Sequence, residues 1–305
     1  MTGILLLEQA LNGLQFGLML FLLAAGLTLV FGIMDLINLA HGSLYMIGAY
    51  LVATVTQASD SYWIGLLAGG LGAALVGVVL EQVVFRHLYQ RDHLSQVLAT
   101  FAVMLMCNEV VRIIWGSQPI ALNPPAALAG PVQIVGDLYY PAYRLFIIAV
   151  GLLVAALLYL LIVHTRMGMQ VRAGASNRDM ARAMGIDVRR LFMAVFGIGA
   201  ALCAVAGGLL GPLLAVQVGM GESILILAFV VIVIGGIGSV RGALIGALLV
   251  GVVDTAGRTF IPLIFTRLMP ADAAASAAPA VSSILIYLLM ALVLFFRPRG
   301  LFPTH

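Results

Sequence analysis

Residues 9–34 of this 305-residue chain carry no charged side chain, and residues 61–80 carry none either. A helix rises about 1.5 Å per residue, so either stretch can cross a hydrocarbon core of roughly 30 Å. Residues 36–57, interrupted only by His41, form a third such window, and further ones lie at 94–115, 145–163, 191–213, 223–240, 242–261 and 281–296. The pattern predicts an all-α, polytopic transmembrane helical bundle of eight or nine spans. Gly32 and Gly42, and then Gly235, Gly236, Gly238 and Gly242, mark two places where a span is expected to be broken or re-entrant. Composition agrees: 9% of the residues are charged and 63% are hydrophobic, against about 25% charged in a soluble domain. So few charges cannot cover a fold of this size, and most of its exterior must face lipid.

Orientation follows from arginine. Residues 164–190 hold six Arg against two Asp, whereas residues 116–143 hold five Pro and no Arg. The first segment is therefore expected in the cytoplasm and the second outside. Alternation then puts Arg86, Arg91, Arg241, Arg297 and Arg299 inside, with a cytoplasmic C-terminus, and leaves Arg258 and Arg267 near the outer end. Residues 1–305 read as one transmembrane domain with the 164–190 segment inside it. No Arg precedes Arg86, so a cleavable basic leader is not expected and the first apolar run is expected to remain as a span.

Several chemistries are missing. All fifteen cationic residues are Arg, and a Walker A phosphate loop requires Lys. Cys107 and Cys203 stand singly in apolar runs, which suits packing and neither a disulfide framework nor a metal cage. There is no H-E-x-x-H and no G-x-S-x-G, and His87, His93 and His164 fall in or beside cytoplasmic loops, so neither an enzyme nor a metal site is expected. The net charge of +3 reflects Arg held on one side of the membrane rather than a nucleic-acid partner.

Within the cytoplasmic segment, Ser176-Asn177-Arg178-Asp179 reads as an N-cap with an acid in the first helical turn. A short helix is expected, with Met180, Ala181, Ala183 and Met184 as its apolar face and Gly185 as its stop. Such a helix is either an interfacial anchor or a docking element for a cytoplasmic protein.

Polar groups inside spans are expected to face the bundle interior or a cavity, because leaving them in lipid costs several kcal/mol. Asn38, His41, Ser43 and Tyr45 cluster beside Gly42, and this segment is the candidate lining of a path, near the inner face and suited to a gate. Ties between adjacent helices would use the same residues. Asn108, Glu109 and Arg112 lie on the 94–115 span, where Glu109 and Arg112 can neutralise each other. Asp254 and Arg258, four apart, permit a similar structural pair, Glu81 is expected to be solvated near a helix end, and Gln217 and Glu222 are candidates for an outer vestibule.

Three motifs carry a family resemblance. Asn177-x-x-x-Ala181-x-Ala-x-Gly185-Ile-Asp-Val resembles the cytoplasmic coupling loop of ATP-binding-cassette importer permeases, in its branched-chain amino acid form. The run from Gly26 to Tyr50, with Asn38, His41, Gly42 and Gly48, is similar to that family's N-terminal signature, and Gly235-Gly-Ile-Gly238-Ser-Val-Arg-Gly242 resembles its C-terminal glycine-rich segment. The resemblance runs from about residue 10 to Arg-Pro-Arg-Gly-Leu-Phe at 297–302. It implies a multi-pass subunit of a bacterial inner membrane, paired with a second homologous permease, two cytoplasmic ATPase subunits and a periplasmic substrate-binding protein. ATP would be bound by the partner subunits, and no cofactor is implied in this chain. The implied coupling residues are Ser176, Asn177, Arg178, Ala181, Arg182, Ala183, Gly185 and Asp187. Branched-chain or other hydrophobic amino acids are the implied substrates, with urea, amides or small aromatic acids as the alternative. An ion-coupled secondary transporter, the other class with broken helices, has no need of a docking helix between two spans.

Overall fold

A computed structural model describes residues 2–136 and 138–302. The elements in chain order are α1 (Thr2–Met34), α2 (His41–Ser59), α3 (Tyr62–Val83), α4 (His93–Trp115), a hairpin of β1 (Pro131–Val135) and β2 (Leu138–Pro141), α5 (Ala142–His164), α6 (Arg166–Ser176), α7 (Arg178–Ala183), α8 (Val188–Leu214), α9 (Met220–Gly235), α10 (Val240–Leu268) and α11 (Ala271–Phe296). Every apolar window read from the sequence overlaps a helix. Among the described residues seven helices, α1, α3, α4, α5, α8, α10 and α11, are long and apolar enough to cross a membrane. The 16 residues of α9 rise about 24 Å, short of a full core. The 19 residues of α2 include His41, Gln57 and two Tyr, which lower its hydropathy. The chain is an all-α, multi-pass membrane protein whose one described sheet is the small hairpin.

Packing divides the chain into two compact units, residues 1–21, 126–152 and 228–305 in one, and residues 22–125 and 153–227 in the other. In the second unit α2, α3 and α8 pack together, with α4 against α2. Small residues set this packing: Gly48 of α2 lies against Ala204 of α8, and Gly207 of α8 lies against the backbone of Tyr45. Such pairs let backbones approach closely where lipid supplies no hydrophobic drive between helices. The opposite surfaces are apolar and open. Leu67, Leu71 and Leu75, four residues apart along α3, are each about two-thirds exposed, which suits contact with lipid tails. In the first unit α10 packs on α11. There the hydroxyl of Ser282 donates to the carbonyl of Gly257. Tyr140 of β2 and Arg144 of α5 both donate to Asn12 Oδ1, which ties the hairpin to the first helix.

At three boundaries the helices run furthest beyond the apolar windows. α1 starts at Thr2 rather than at residue 9, α10 runs on to Leu268, and α11 starts at Ala271 rather than at 281. Residues 271–280 are mostly alanine, a strong helix former of modest hydropathy, so helix extends beyond the strongly apolar window.

Candidate functional site

The interior of the second unit is organised by the break between α1 and α2. Helix α1 ends at Met34, and Asp35 takes a positive φ of 49° while its amide still donates to Phe31. Residues 35–40 then lead to His41, the first residue of α2. His41 is fully buried. Its imidazole occupies the space left by two glycines, since a Cβ on Gly26 would stand 2.9 Å from Nε2 and one on Gly199 would stand 3.4 Å from Cε1. The same Nε2 lies 2.9 Å from Cys203 Sγ. Cys203 is about 22 Å along α8 from its arginine-bearing start, so His41 lies well along that helix from its first residue.

The surrounding polar groups are incompletely satisfied. Neither the nitrogen nor the oxygen of the Asn38 amide has a hydrogen-bond partner, although the residue is wholly buried, and Thr28 Oγ1 is in the same state. Leaving such a group unpaired costs about 1–3 kcal/mol, which water or a polar solute would recover on entering. Ser43 and Tyr45 are buried in the first two turns of α2. Gly42 meets Gly221, at the start of α9, backbone to backbone, because a Cβ on Gly42 would stand 2.5 Å from the carbonyl oxygen of Gly221.

A second polar group joins α4 to α9. Asn108 Nδ2 donates to Glu222 Oε1 at 2.6 Å, joining α4 to the first turn of α9. Glu109 pairs with Arg112 at 2.9 Å, both exposed. Gln217 lies exposed in the 215–219 connection, where its carbonyl accepts from Met220. In the first unit Arg258 Nε donates to both carboxylate oxygens of the buried Asp254 at 2.8 Å.

The segment between α5 and α8 is built from caps. Thr165 Oγ1 accepts from Gly168, Asn177 Oδ1 accepts from Met180, and Asp187 Oδ1 accepts from Arg190, so α6, α7 and α8 each start on a side-chain acceptor. α7 closes as a Schellman motif: Ile186 donates to Ala181, Gly185 donates to Arg182, and Gly185 takes φ 86°. The sequence reading anticipated one helix here and missed α6. It also placed Met180, Ala181, Ala183 and Met184 on one apolar face, whereas only Ala181 turns inward. Ala183 is exposed, and Met180 and Met184 stand 61% and 77% exposed as a ridge one turn apart. Ser176 closes α6, and Arg182 makes an exposed 3.7 Å pair with Asp179.

Among the described residues no group of three or more His, Cys, Asp or Glu is placed to hold a metal ion. The family model for the branched-chain amino acid transport system permease component matches residues 9–294. The chain belongs to this permease family. The LivH permease protein of the high-affinity branched-chain amino acid transport system in Salmonella typhimurium is 32% identical over 275 residues, covering 84% of this chain and 87% of that protein. BraD of Pseudomonas aeruginosa, a permease protein of a system with the same description, is 32% identical over 309 residues, 97% and 95% of the two chains. LivM of Escherichia coli, also a permease protein of such a system, is 26% identical over 307 residues, 92% of this chain and 67% of that one.

Two features of this permease escaped the sequence reading. Trp115 Nε1 donates to Thr54 Oγ1 at 2.7 Å and its ring lies 5.2 Å from that of Tyr50, fastening the end of α4 to α2. Glu81, expected to be solvated, is buried and accepts from the Tyr89 hydroxyl at 2.8 Å. Burial and the neighbouring Glu81 carboxylate push that hydroxyl above the ordinary tyrosine range. The apolar residues around Glu81 gave no sign that a tyrosine eight positions later would fold back onto it.

Proposed function

We propose that this permease is the membrane subunit of an ATP-driven importer of branched-chain or other hydrophobic amino acids in the bacterial inner membrane. It crosses the bilayer eight or nine times, with α6, α7 and the C-terminus in the cytoplasm and the β1–β2 hairpin outside. Two ATPase subunits drive the assembly, one of them docked on α7, and a second, homologous permease completes the membrane part, in keeping with the likeness of this chain to both LivH and LivM. A periplasmic binding protein delivers the solute. ATP is bound by the partner subunits, since this chain lacks the lysine of a phosphate loop.

The observation that carries this reading is the exposed Met180–Met184 ridge on a helix capped at both ends and set between two spans. Methionine is a flexible, polarisable contact residue, and a ridge of it beside Arg182 suits a protein groove. Closure of the ATPase pair moves α7, and the helices around the Asn38–Tyr45 segment tilt in response. Asn38, His41, Ser43 and Tyr45 form the inner part of the path, with Asn108, Glu109, Gln217 and Glu222 at its outer mouth. Specificity rests with the binding protein, so the path needs few polar groups.

Affinity purification in mild detergent tests this reading: a nucleotide-binding subunit and a second permease are expected to co-purify. Deleting residues 176–184 is expected to remove the ATPase and abolish uptake while the protein still inserts. Unchanged uptake by the deletion variant, or concentration of solute by this chain alone on an ion gradient, would refute the assignment.

A further inference from the structure

Five of the six arginines of the 164–190 segment, Arg166, Arg172, Arg182, Arg189 and Arg190, turn outward, whereas Arg178 is half-buried. Its Nε donates to the backbone carbonyl of Ile33 at 3.1 Å, and its guanidinium lies 5.7 Å from the centre of the Phe192 ring. Ile33 belongs to the last turn of α1, where carbonyls have no intrahelical donor and the helix dipole is negative. A cation in the last turn can answer both needs, yet the last turn of α1 contains no basic residue. Arg178, on the first turn of α7, supplies that cation from elsewhere in the chain. Phe192 is itself buried and meets Tyr89 edge to face at 5.2 Å, and the Tyr89 hydroxyl reaches Met34 Sδ at 3.5 Å. The end of α1 is thus gripped by α7 directly and by the α3–α4 connection through Tyr89.

Two residues beyond Ile33 the chain takes its positive φ at Asp35, and five residues beyond it lies the unpaired Asn38 amide. We propose that Arg178 is the positioning residue through which movement of α7 reaches the α1–α2 break. Displacing α7 draws the Ile33 carbonyl with it, or releases it, and the 35–40 segment changes its path because it begins at that carbonyl. The guanidinium, held by its hydrogen bond to Ile33 and lying over the Phe192 ring, transmits direction as well as charge. This rests on the reading of α7 as the ATPase docking helix, and it adds the route from that helix into the membrane.

The test uses the full importer in proteoliposomes, with ATP hydrolysis and solute uptake measured on the same preparation. In Arg178→Ala the ATPase subunits still co-purify and hydrolysis continues, while solute imported per ATP falls about tenfold, as expected for loss of one charged hydrogen bond. Arg178→Lys keeps charge and a donor but loses the fixed fork of the guanidinium, and recovers the ratio to within about threefold of the parent. An unchanged ratio in Arg178→Ala overturns the proposal, whether the two rates stay high or fall together. Loss of the ATPase from that variant also overturns it, because Arg178 would then be a docking residue. If Arg178→Ala does not accumulate in the membrane, Arg178→Gln, which keeps a donor without the charge, carries the same measurement. Met180→Glu with Met184→Glu is the separate check of the docking reading: retention of the ATPase there would remove the foundation beneath the route.

Discussion

The two breaks of the apolar helices, 35–40 before α2 and 236–239 before α10, look alike in sequence and differ in how they are closed. Both place glycine backbones in contact, Gly42 on Gly221 at the first and Gly242 on Gly235 at the second. At the second, the connection is sealed by main-chain and cap bonds. Ser239 Oγ accepts from Gly242, and the amides of Leu301 and Phe302 donate to the carbonyls of Ile234 and Gly235. At the first, the buried Asn38 amide has no partner at either end and α2 starts without a side-chain cap. A satisfied break holds one geometry, whereas an unsatisfied one gains by opening to water. Glycine content alone therefore does not distinguish a hinge from a clamp. The hydrogen bonding around it does.

The largest effect is expected where the two breaks are equal. Gly42→Val and Gly242→Val each drive a side chain into a facing glycine carbonyl, and each should cost about 3 kcal/mol or more, read as loss of folded protein after heating in detergent. A mild effect at either position would mean that the backbones need not touch there. The breaks should separate at Asn38. Asn38→Leu removes an unpaired buried amide, so it should stabilise the protein by about 1–3 kcal/mol and depress uptake, whereas a lowered thermal midpoint would show that the amide is already satisfied. Ser239→Ala should do the reverse, costing about 1 kcal/mol for a lost cap and leaving uptake per folded molecule unchanged. The smallest effect belongs to a connection outside both breaks. The Asp92 carboxylate accepts from the amide and hydroxyl of Ser95 at the start of α4, and these bonds hold it below the usual carboxylate range. Its contribution is complete above the unfolded value of about 4 and is lost as pH falls through the lower folded value. Asp92→Asn should keep the cap and abolish that acid-side dependence in a pH series of thermal midpoints, and an unaltered series would place the titration elsewhere.

What could be read in advance was what depends on nearby residues. Apolar stretches of spanning length became helices, the glycines at 32–42 and 235–242 flanked real breaks, and Asn177 and Gly185 formed the two ends of α7, because caps and turns are decided within a few positions. α6 left a fainter trace, Gly168, Val171 and Gly174 at three-residue spacing, interspersed with Arg166, Gln170 and Arg172. The pairings that assemble the candidate path join distant parts of the chain: Asn108 with Glu222, His41 with Cys203, Arg178 with Ile33. No periodicity announces them, since each depends on which helices become neighbours. Glu81 failed for that reason as well, because its burial depends on Tyr89 folding over it.

The Arg178 contact also bears on how the molecule is made. Ile33 and Arg178 are 145 positions apart, so the first rod enters the bilayer with a bare negative end and waits for its counter-charge. At ordinary translation speeds the ribosome needs about 7–30 s to deliver it. During that interval the carbonyl end of α1 lacks this partner, and whatever shelters it then must give it up when the arginine arrives.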